Sequence, residues 1–338
     1  MGAPLDGRLP VRIALTGGGG FLGRAVCRAW IERGVSPKDL TVVSRSRHPL
    51  LDELGVAHRV ASVTDPEALR RAFAEVDLVY HLAGLVSRDP RDAGRMRAIH
   101  VDGTRNALQA ASAAGVRRVV YASSTGTFGC TRDPSRVPHE DGPDAAEIVS
   151  RWAYYRTKLE AERLALAPQP EGDTTVIVLN PSLILGPGDV DGSSTNDVRD
   201  FLQGRMPVIA RGGVNFVDVR DAAAAFVTAA DAGEPGARHL LGAENVTVEE
   251  LVDRLSRLTG VRVPKFSPPA GLQVLASAAL APMARLLGRE PMVDPATAAM
   301  AQLHWFASGE RARKVLGFVP RTADETLADT VGFLRGIR

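Results

Sequence analysis

TGGGGFLG, residues 16 to 23, decides the fold. It stands between a short apolar run, Val11 to Thr16 (VRIALT), and a helical pattern from Phe21 to Arg33 that Gly34 stops. A buried strand, a glycine turn and a helix start, in that order, make a cradle for a pyrophosphate. The glycines permit a tight turn and close backbone approach. The helix start offers free N–H groups and the positive end of its dipole. Two registers fit the turn. Gly18, Gly20 and Gly23 read as G-x-G-x-x-G, whereas Thr16, Gly17, Gly20 and Gly23 read as T-G-x-x-G-x-x-G. A nucleoside-triphosphate loop starting at Gly18 fails, because Arg24 stands where Lys belongs and Ala25 where the magnesium-binding hydroxyl belongs. The turn therefore implies a dinucleotide.

Outward from the turn, strand and helix patterns alternate. Strands are expected at Leu40 to Val43, Arg59 to Val63, Leu78 to Ala83, Arg118 to Ser123 and Thr175 to Leu179. Helices are expected at Pro66 to Phe73, Met96 to Ala114 and Ser150 to Ala167. Asp65 caps the first of these and Pro66 opens it. This alternation argues for a parallel sheet, doubly wound, with helices on both faces. Beyond Pro181 helical patterns dominate, at Val198 to Gly204, Asp221 to Ala232, Val248 to Thr259, Leu272 to Leu287 and Ala323 to Leu334. The expected division is a dinucleotide-binding domain over residues 11–180 plus about 214–232, and a smaller, mostly helical substrate lobe over 181–213 and 233–338.

Composition bounds the alternatives. The 338 residues carry a net charge of +2, too little for a nucleic-acid footprint, and their arginines are scattered. Cys27 and Cys130 have neither metal spacing nor a disulfide framework, which suits reduced thiols in a cytoplasmic protein. The seven histidines are dispersed, so no metal site is expected. No signal peptide pattern opens the chain and no apolar run is long enough for an integral membrane segment.

The end of the second strand bears on cofactor type. An NAD site usually places an acid there. Here the strand runs into Ser44-Arg45-Ser46-Arg47, with no acid. Arg45 and Arg47 suit a 2′-phosphate, so NADP(H) is expected over NAD(H).

Tyr154-Tyr155-Arg156-Thr157-Lys158 lies early in a helix. Residues four apart share a face, so Tyr154 and Lys158 can address one ligand. A nearby ammonium favours the phenolate and lowers the tyrosine pKa from near 10, which makes the pair a sensible acid/base unit. Tyr155 has Leu159 as its partner at that spacing and reads as packing. Ser123 and Ser124 end the fifth strand, where ligands of open α/β sheets bind.

These motifs occur in order with HLAG (His81 to Gly84), YASSTGTFG (Tyr121 to Gly129), NPSLILGPGD (Asn180 to Asp189) and FVDVRDAAAAF (Phe216 to Phe226). Together they resemble an extended short-chain dehydrogenase/reductase of the NAD-dependent epimerase/dehydratase superfamily. Within it the resemblance is to dihydroflavonol 4-reductase-like, 3β-hydroxysteroid dehydrogenase-like and bacterial ketone reductases, and the hopanoid-associated sugar epimerase-like group is also similar. It spans about Val11 to Phe333 and implies a Rossmann α/β fold. It also implies Ser124, Tyr154 and Lys158 as catalytic residues, and it selects the second glycine register. Gly17, Gly20, Phe21, Leu22 and Gly23 would then meet the pyrophosphate, and Ser44, Arg45 and Arg47 the adenosine ribose. Ser62 and Val63 would flank the adenine, with Ser62 replacing a common Asp. Leu82, Ala83 and Gly84 would run along the cofactor ribose, where Tyr154 and Lys158 also reach, and Pro181 and Ser182 would lie beside the nicotinamide amide. His100 stands where the family often has Asn.

The implied reaction reduces a ketone or aldehyde by hydride transfer. Leu85, Val86 and Phe128 are expected near the cleft mouth, and Leu272 to Leu287 as a core helix, a lid or a membrane-surface contact. An apolar or β-keto substrate fits these better than a nucleotide sugar. The alternatives are an NAD-dependent sugar epimerase or dehydratase, with Arg199, Arg205, Arg211 and Arg220 as diphosphate ligands, and a non-enzymatic NADP sensor. A homodimer is expected through Met96 to Ala114 and Ser150 to Ala167.

Overall fold

The computed structural model describes residues 11–168, 174–206, 208–262, 267–286 and 294–336. Six strands come first: β1 (Ile13–Thr16), β2 (Leu40–Ser44), β3 (Ala57–Val60), β4 (Leu78–His81), β5 (Arg118–Ala122) and β6 (Thr175–Pro181). Five shorter ones follow: β7 (Leu183–Leu185), β8 (Gly213–Asp218), β9 (Arg238–Leu241), β10 (Glu244–Thr247) and β11 (His304–Trp305). The main sheet has the order β3-β2-β1-β4-β5-β6-β9 and is parallel throughout. This is the doubly wound α/β arrangement expected from the motifs.

Apart from the edge strand β3, the strands of the main sheet are buried on both faces, and their side chains alternate between two cores. Ile13 and Leu15 join one face and Ala14 the other. On the first face the helices Phe21–Glu32 and Val219–Ala232 pack through Val26, Trp30, Ala222 and Phe226. On the second, Pro66–Ala72, Gly103–Ala113 and Ala153–Leu166 pack through Leu69, Leu108 and Ala161.

Several boundaries differ from the sequence expectations. β3 lies at Ala57–Val60 rather than Arg59 to Val63. It is an edge strand with exposed side chains, so no apolar run marks it. Ser62 and Val63 consequently stand in the turn beyond its end. The helix expected at Met96 to Ala114 is Ala93–Arg97, a wider π-helical turn at Ala98–Asp102, and Gly103–Ala113. The helix expected from Ser150 starts at Ala153.

The region past Pro181 holds more strand than its helical patterns suggested. β8 pairs antiparallel with β10 and parallel with β7 and β11. β9 instead adds a seventh strand to the main sheet, and Ala312 and Leu316 of helix Glu310–Leu316 pack beneath it. The helices Val248–Thr259 and Ala323–Leu334 start on capping boxes, Thr247/Glu250 and Thr322/Glu325, and pack with Phe216 and Leu185 in a separate core. The helix expected at Leu272 to Leu287 spans Ala270–Leu286; residue 287 lies outside the described residues. Its Leu272, Leu275, Leu280, Met283 and Leu286 are exposed, so it is not a core helix. No described helix is long and apolar enough to cross a membrane.

Candidate active site

The carboxyl ends of β1, β2, β4, β5 and β6 bring the expected site residues to one edge of the sheet. The glycine turn leaves β1 there. Gly17 has φ +70°, and a Cβ on it would sit 2.7 Å from the Ala83 nitrogen. A Cβ on Gly23 would sit 2.5 Å from the Gly17 carbonyl oxygen. These two positions let the turn lie flat between the end of β4 and the helix that follows. Gly20 caps that helix with no side-chain hydrogen bond, and its N–H donates to the Gly17 carbonyl at 3.0 Å. The N–H groups of Phe21, Leu22 and Gly23 begin the helix without intrahelical partners. A backbone cradle closed to side chains, ending on a helix dipole, fits a dinucleotide pyrophosphate.

Arg24 was read only as an argument against a triphosphate loop. The structure gives it a positive role. Buried, it donates to the Gly19 carbonyl and, at 2.9 Å, to the Gly188 carbonyl. It ties the glycine turn to the loop after β7. Asp189 stiffens that loop by accepting from the backbone N–H groups of Ser193, Ser194 and Thr195.

Beyond β2, the Ser44 hydroxyl donates to the Ser46 carbonyl at 2.8 Å and lies 2.8 Å from His58 Nε2. Arg45 and Arg47 are exposed, and Arg47 reaches only Asp52, at 3.8 Å. His48 lies against Gly19, and its Nδ1 is buried without a hydrogen-bond partner. Beyond β3, the Ser62 hydroxyl accepts from the Thr64 N–H, and Asn106 donates to the Val63 carbonyl at 3.0 Å. Leu82, Ala83 and Gly84 follow β4. Pro181 ends β6, and the Ser182 hydroxyl donates to the Leu241 carbonyl at 3.1 Å.

The helix Ala153–Leu166 engages three consecutive residues at the end of β5, one per turn. Tyr154 comes within interaction range of the Ser124 hydroxyl, which favours the phenolate. Lys158 Nζ donates to the Ala122 carbonyl at 2.7 Å. The Glu162 carboxylate accepts from the Ser123 hydroxyl. The spacing of four that suggested the pair thus continues one turn further. Glu162 is fully buried and also accepts from Thr127 Oγ1 at 2.8 Å, Asn180 Nδ2 and Arg238 Nε at 2.7 Å. Neither Glu162 nor Arg238 was singled out in the sequence.

Burial governs the protonation of these groups. It pushes the Tyr154 phenol up to about 12, with the Ser124 hydroxyl opposing. In this state burial outweighs the lowering expected from Lys158. Burial also pulls Lys158 down to about 8, while the Glu162 charge opposes it.

Two histidines back the site. His81 Nδ1 lies 2.7 Å from Thr16 Oγ1 and Nε2 3.1 Å from Thr104 Oγ1, and the ring stacks on Tyr121. His100 Nε2 accepts from the Leu85 N–H at 3.0 Å, which leaves Nδ1 as the donor to Thr157 Oγ1 at 2.8 Å. Its ring stands edge-on to Tyr154. Burial pulls both imidazoles down to about 3, so they are neutral at physiological pH.

Tyr155 stacks on Trp305 at 4.6 Å and packs edge-on to Trp152. Leu85 is half-buried and Val86 exposed beyond β4. Phe128, expected near the cleft mouth, is instead 1% exposed. Its ring points inward against Leu240 and Ala307, under the Arg238 guanidinium. Of the arginines considered for a diphosphate, Arg205 pairs with Asp200, Arg220 with Asp218 and Asp329, and Arg211 donates to the Ser267 carbonyl. Among the described residues no cluster of His, Cys, Asp or Glu could hold a metal ion.

Residues 13–242 match the model of the NAD dependent epimerase/dehydratase family. The chain belongs to this family and is an NAD(P)-dependent oxidoreductase. It is 30% identical over 322 residues to a putative dihydroflavonol 4-reductase of Synechocystis sp., covering 94% of this chain and 92% of that one. It is 31% identical over 329 residues to a 2-alkyl-3-oxoalkanoate reductase of Stenotrophomonas maltophilia, covering 93% and 96%. Among solved structures, gox2253 superposes with a TM-score of 0.82 at 30% identity, covering 96% of this chain and 98% of that one. MoeE5, solved in complex with UDP-glucose and NAD, superposes with a TM-score of 0.71 at 25% identity, covering 96% and 98%.

Proposed function

We propose that this chain is an NADP(H)-dependent reductase of a largely apolar ketone or β-keto compound. The observation that carries the reading is the convergence of Ser124, at the end of β5, with Tyr154 and Lys158 of the helix Ala153–Leu166, where Lys158 Nζ is anchored on the Ala122 carbonyl at 2.7 Å, on the same sheet edge as the glycine cradle. The names of the relatives, a 2-alkyl-3-oxoalkanoate reductase among them, support the same class of substrate.

Gly17, Gly20, Phe21, Leu22 and Gly23 would hold the pyrophosphate through backbone N–H groups. Arg45 and Arg47, exposed and without an acid at the end of β2, would meet a 2′-phosphate in charge-assisted hydrogen bonds. Lys158 would turn to the ribose hydroxyls. The bound nicotinamide supplies a hydride to the carbonyl carbon. Ser124 would orient and polarise the carbonyl oxygen, and Tyr154 would give it a proton. A phenol held well above neutral pH is protonated before the reaction, which is the form reduction needs. Lys158 is buried and Tyr154 half-buried, so the ammonium acts in a medium of low dielectric while the phenol stays open to a substrate.

The test is absorbance at 340 nm with NADPH and a panel of ketones and 3-oxoacyl compounds. Net loss of NADPH is expected; cofactor that stays bound with no net oxidation would favour an epimerase or dehydratase. Tyr154→Phe should lower turnover about a hundredfold or more while sparing NADPH binding. Replacing Arg45 and Arg47 together by Ala should weaken NADPH binding about tenfold or more and leave NADH binding unchanged. Equal loss for both cofactors would sink the NADP preference.

A further inference from the structure

We propose that Glu162 is a positioning residue of this site: it anchors the serine-bearing end of β5 and keeps the Lys158 ammonium charged. The inference rests on the proposed roles of Ser124, Tyr154 and Lys158.

The geometry has two parts. Tyr154, Lys158 and Glu162 lie at four-residue intervals on one helix and meet Ser124, Ala122 and Ser123 in turn. Glu162 also gathers Thr127, in the turn after Ser124, and Asn180 of β6, whose amide donates to the Ser124 carbonyl at 3.1 Å. One carboxylate therefore fixes the backbone on both sides of the serine. The fourth contact, Arg238 of β9, brings a guanidinium to the far side of the carboxylate at 2.7 Å. A fully buried carboxylate with four donors is a costly arrangement unless all four are kept, which makes the cluster rigid.

The second part is charge. Lys158 faces Glu162 and Tyr154 on its own helix, His81 of β4, His100 of the π-helical turn and Tyr121 of β5, whose ring lies 5.3 Å from Nζ. Burial keeps both histidines neutral and pushes the Tyr121 phenol up. Glu162 is thus the anion that offsets the desolvation of the ammonium, and Arg238 partly cancels it from behind. Among the described residues Lys158 makes no ion pair, so a change at Glu162 reaches it through the field alone.

Opposite shifts follow from the two members of the pair. The chain has four lysines, Lys38, Lys158, Lys265 and Lys314, so the Lys158 side-chain signal can be followed by NMR in lysine-labelled full-length protein. Glu162→Gln should move the Lys158 titration about one pH unit lower. Arg238→Gln, with the carboxylate left in place, should move it about half a unit higher. The alkaline limb of kcat/KM should follow in the same directions. A merely structural role would lower the active fraction in both variants and move neither titration. A Lys158 titration that stays put in Arg238→Gln, or moves the same way in both variants, overturns the proposal; the first outcome decides it even if Glu162→Gln does not fold. The titration needs no substrate. These shifts in the variants, together with a wild-type protein that lacks NADPH-dependent turnover, would refute the reductase reading and leave the role of Glu162 standing.

Discussion

Two helices of this chain turn polar groups inward, with different consequences for their apolar residues. Ala153–Leu166 buries Thr157, Lys158 and Glu162, polar or charged groups that a helix normally shows to water. Ala270–Leu286 turns Gln273 and Ser277 toward the body and exposes Leu272, Leu275, Leu280, Met283 and Leu286. Gln273 donates to the Ile209 and Pro268 carbonyls, so its inward orientation is held by hydrogen bonds. The first still buries Leu159, Ala161 and Ala165 beside those groups, whereas the second breaks the rule that an amphipathic helix hides its apolar stripe. In the first, every buried charge has partners that other elements supply, and the departure serves chemistry. In the second, the described inward side chains carry no charge, and the departure leaves apolar surface outside the cores.

The comparison can be broken at its strongest point through Leu159. It is 2% exposed and packs the first helix into the body beside Lys158. Leu159→Ala should cost about 2–5 kcal/mol in chemical denaturation, as a large buried side chain does. A loss below about 1 kcal/mol would mean that the hydrogen-bonded cluster, and not apolar packing, holds this helix in place.

A second test uses acid. His81 and His100 stand around the first helix with pKa values near 3, against 6.5 for an exposed histidine. The unfolded chain takes up protons at 6.5 while the folded chain does not. Stability is therefore full above pH 6.5 and falls as pH drops from 6.5 toward 3, by about 1 kcal/mol per pH unit per histidine. His100→Asn should flatten the slope of melting temperature against pH over that window. An unchanged slope would show that His100 is not among the groups driving acid unfolding. The described side chains of Ala270–Leu286 include no titratable group, so changes there should leave the acid slope as it was.

The same contrast explains what the sequence made legible. The glycine turn could be read because φ +70° at Gly17 and the clash at Gly23 demand glycine, whatever surrounds them. Ser124, Tyr154 and Lys158 could be read because four-residue spacing and a strand end are local facts. Glu162 could not. Its partners lie at Ser123, Thr127, Asn180 and Arg238, and nothing local separates it from the half-buried Glu160 of the same helix, which pairs with Arg97 at the surface. β9 was missed because RHLL is four residues long and its place beside β6 is set by the sheet, not by its own pattern. Phe128 was misplaced because a tight turn after Ser124 swings its ring inward, which the string STGTFG does not reveal.

The smallest expected effect lies on the second helix. Leu275 is 67% exposed and Leu280 57%. Replacing both by Gln should change stability by no more than about 0.5 kcal/mol, since no packed contact is lost. Kinetics should separate from stability there. The N-terminal half of this helix shares a groove with Arg151, Ala299 and Gln302, and Ala299 packs with Trp152, Tyr155 and Trp305 next to Tyr154. Under the proposed reading, with this helix placed as a lid over the substrate cleft, the double substitution should raise KM for the most apolar ketone several-fold and leave KM for a short, polar ketone unchanged. A large loss of stability instead would mean that the two leucines are covered in solution, and equal KM values would remove the helix from substrate binding.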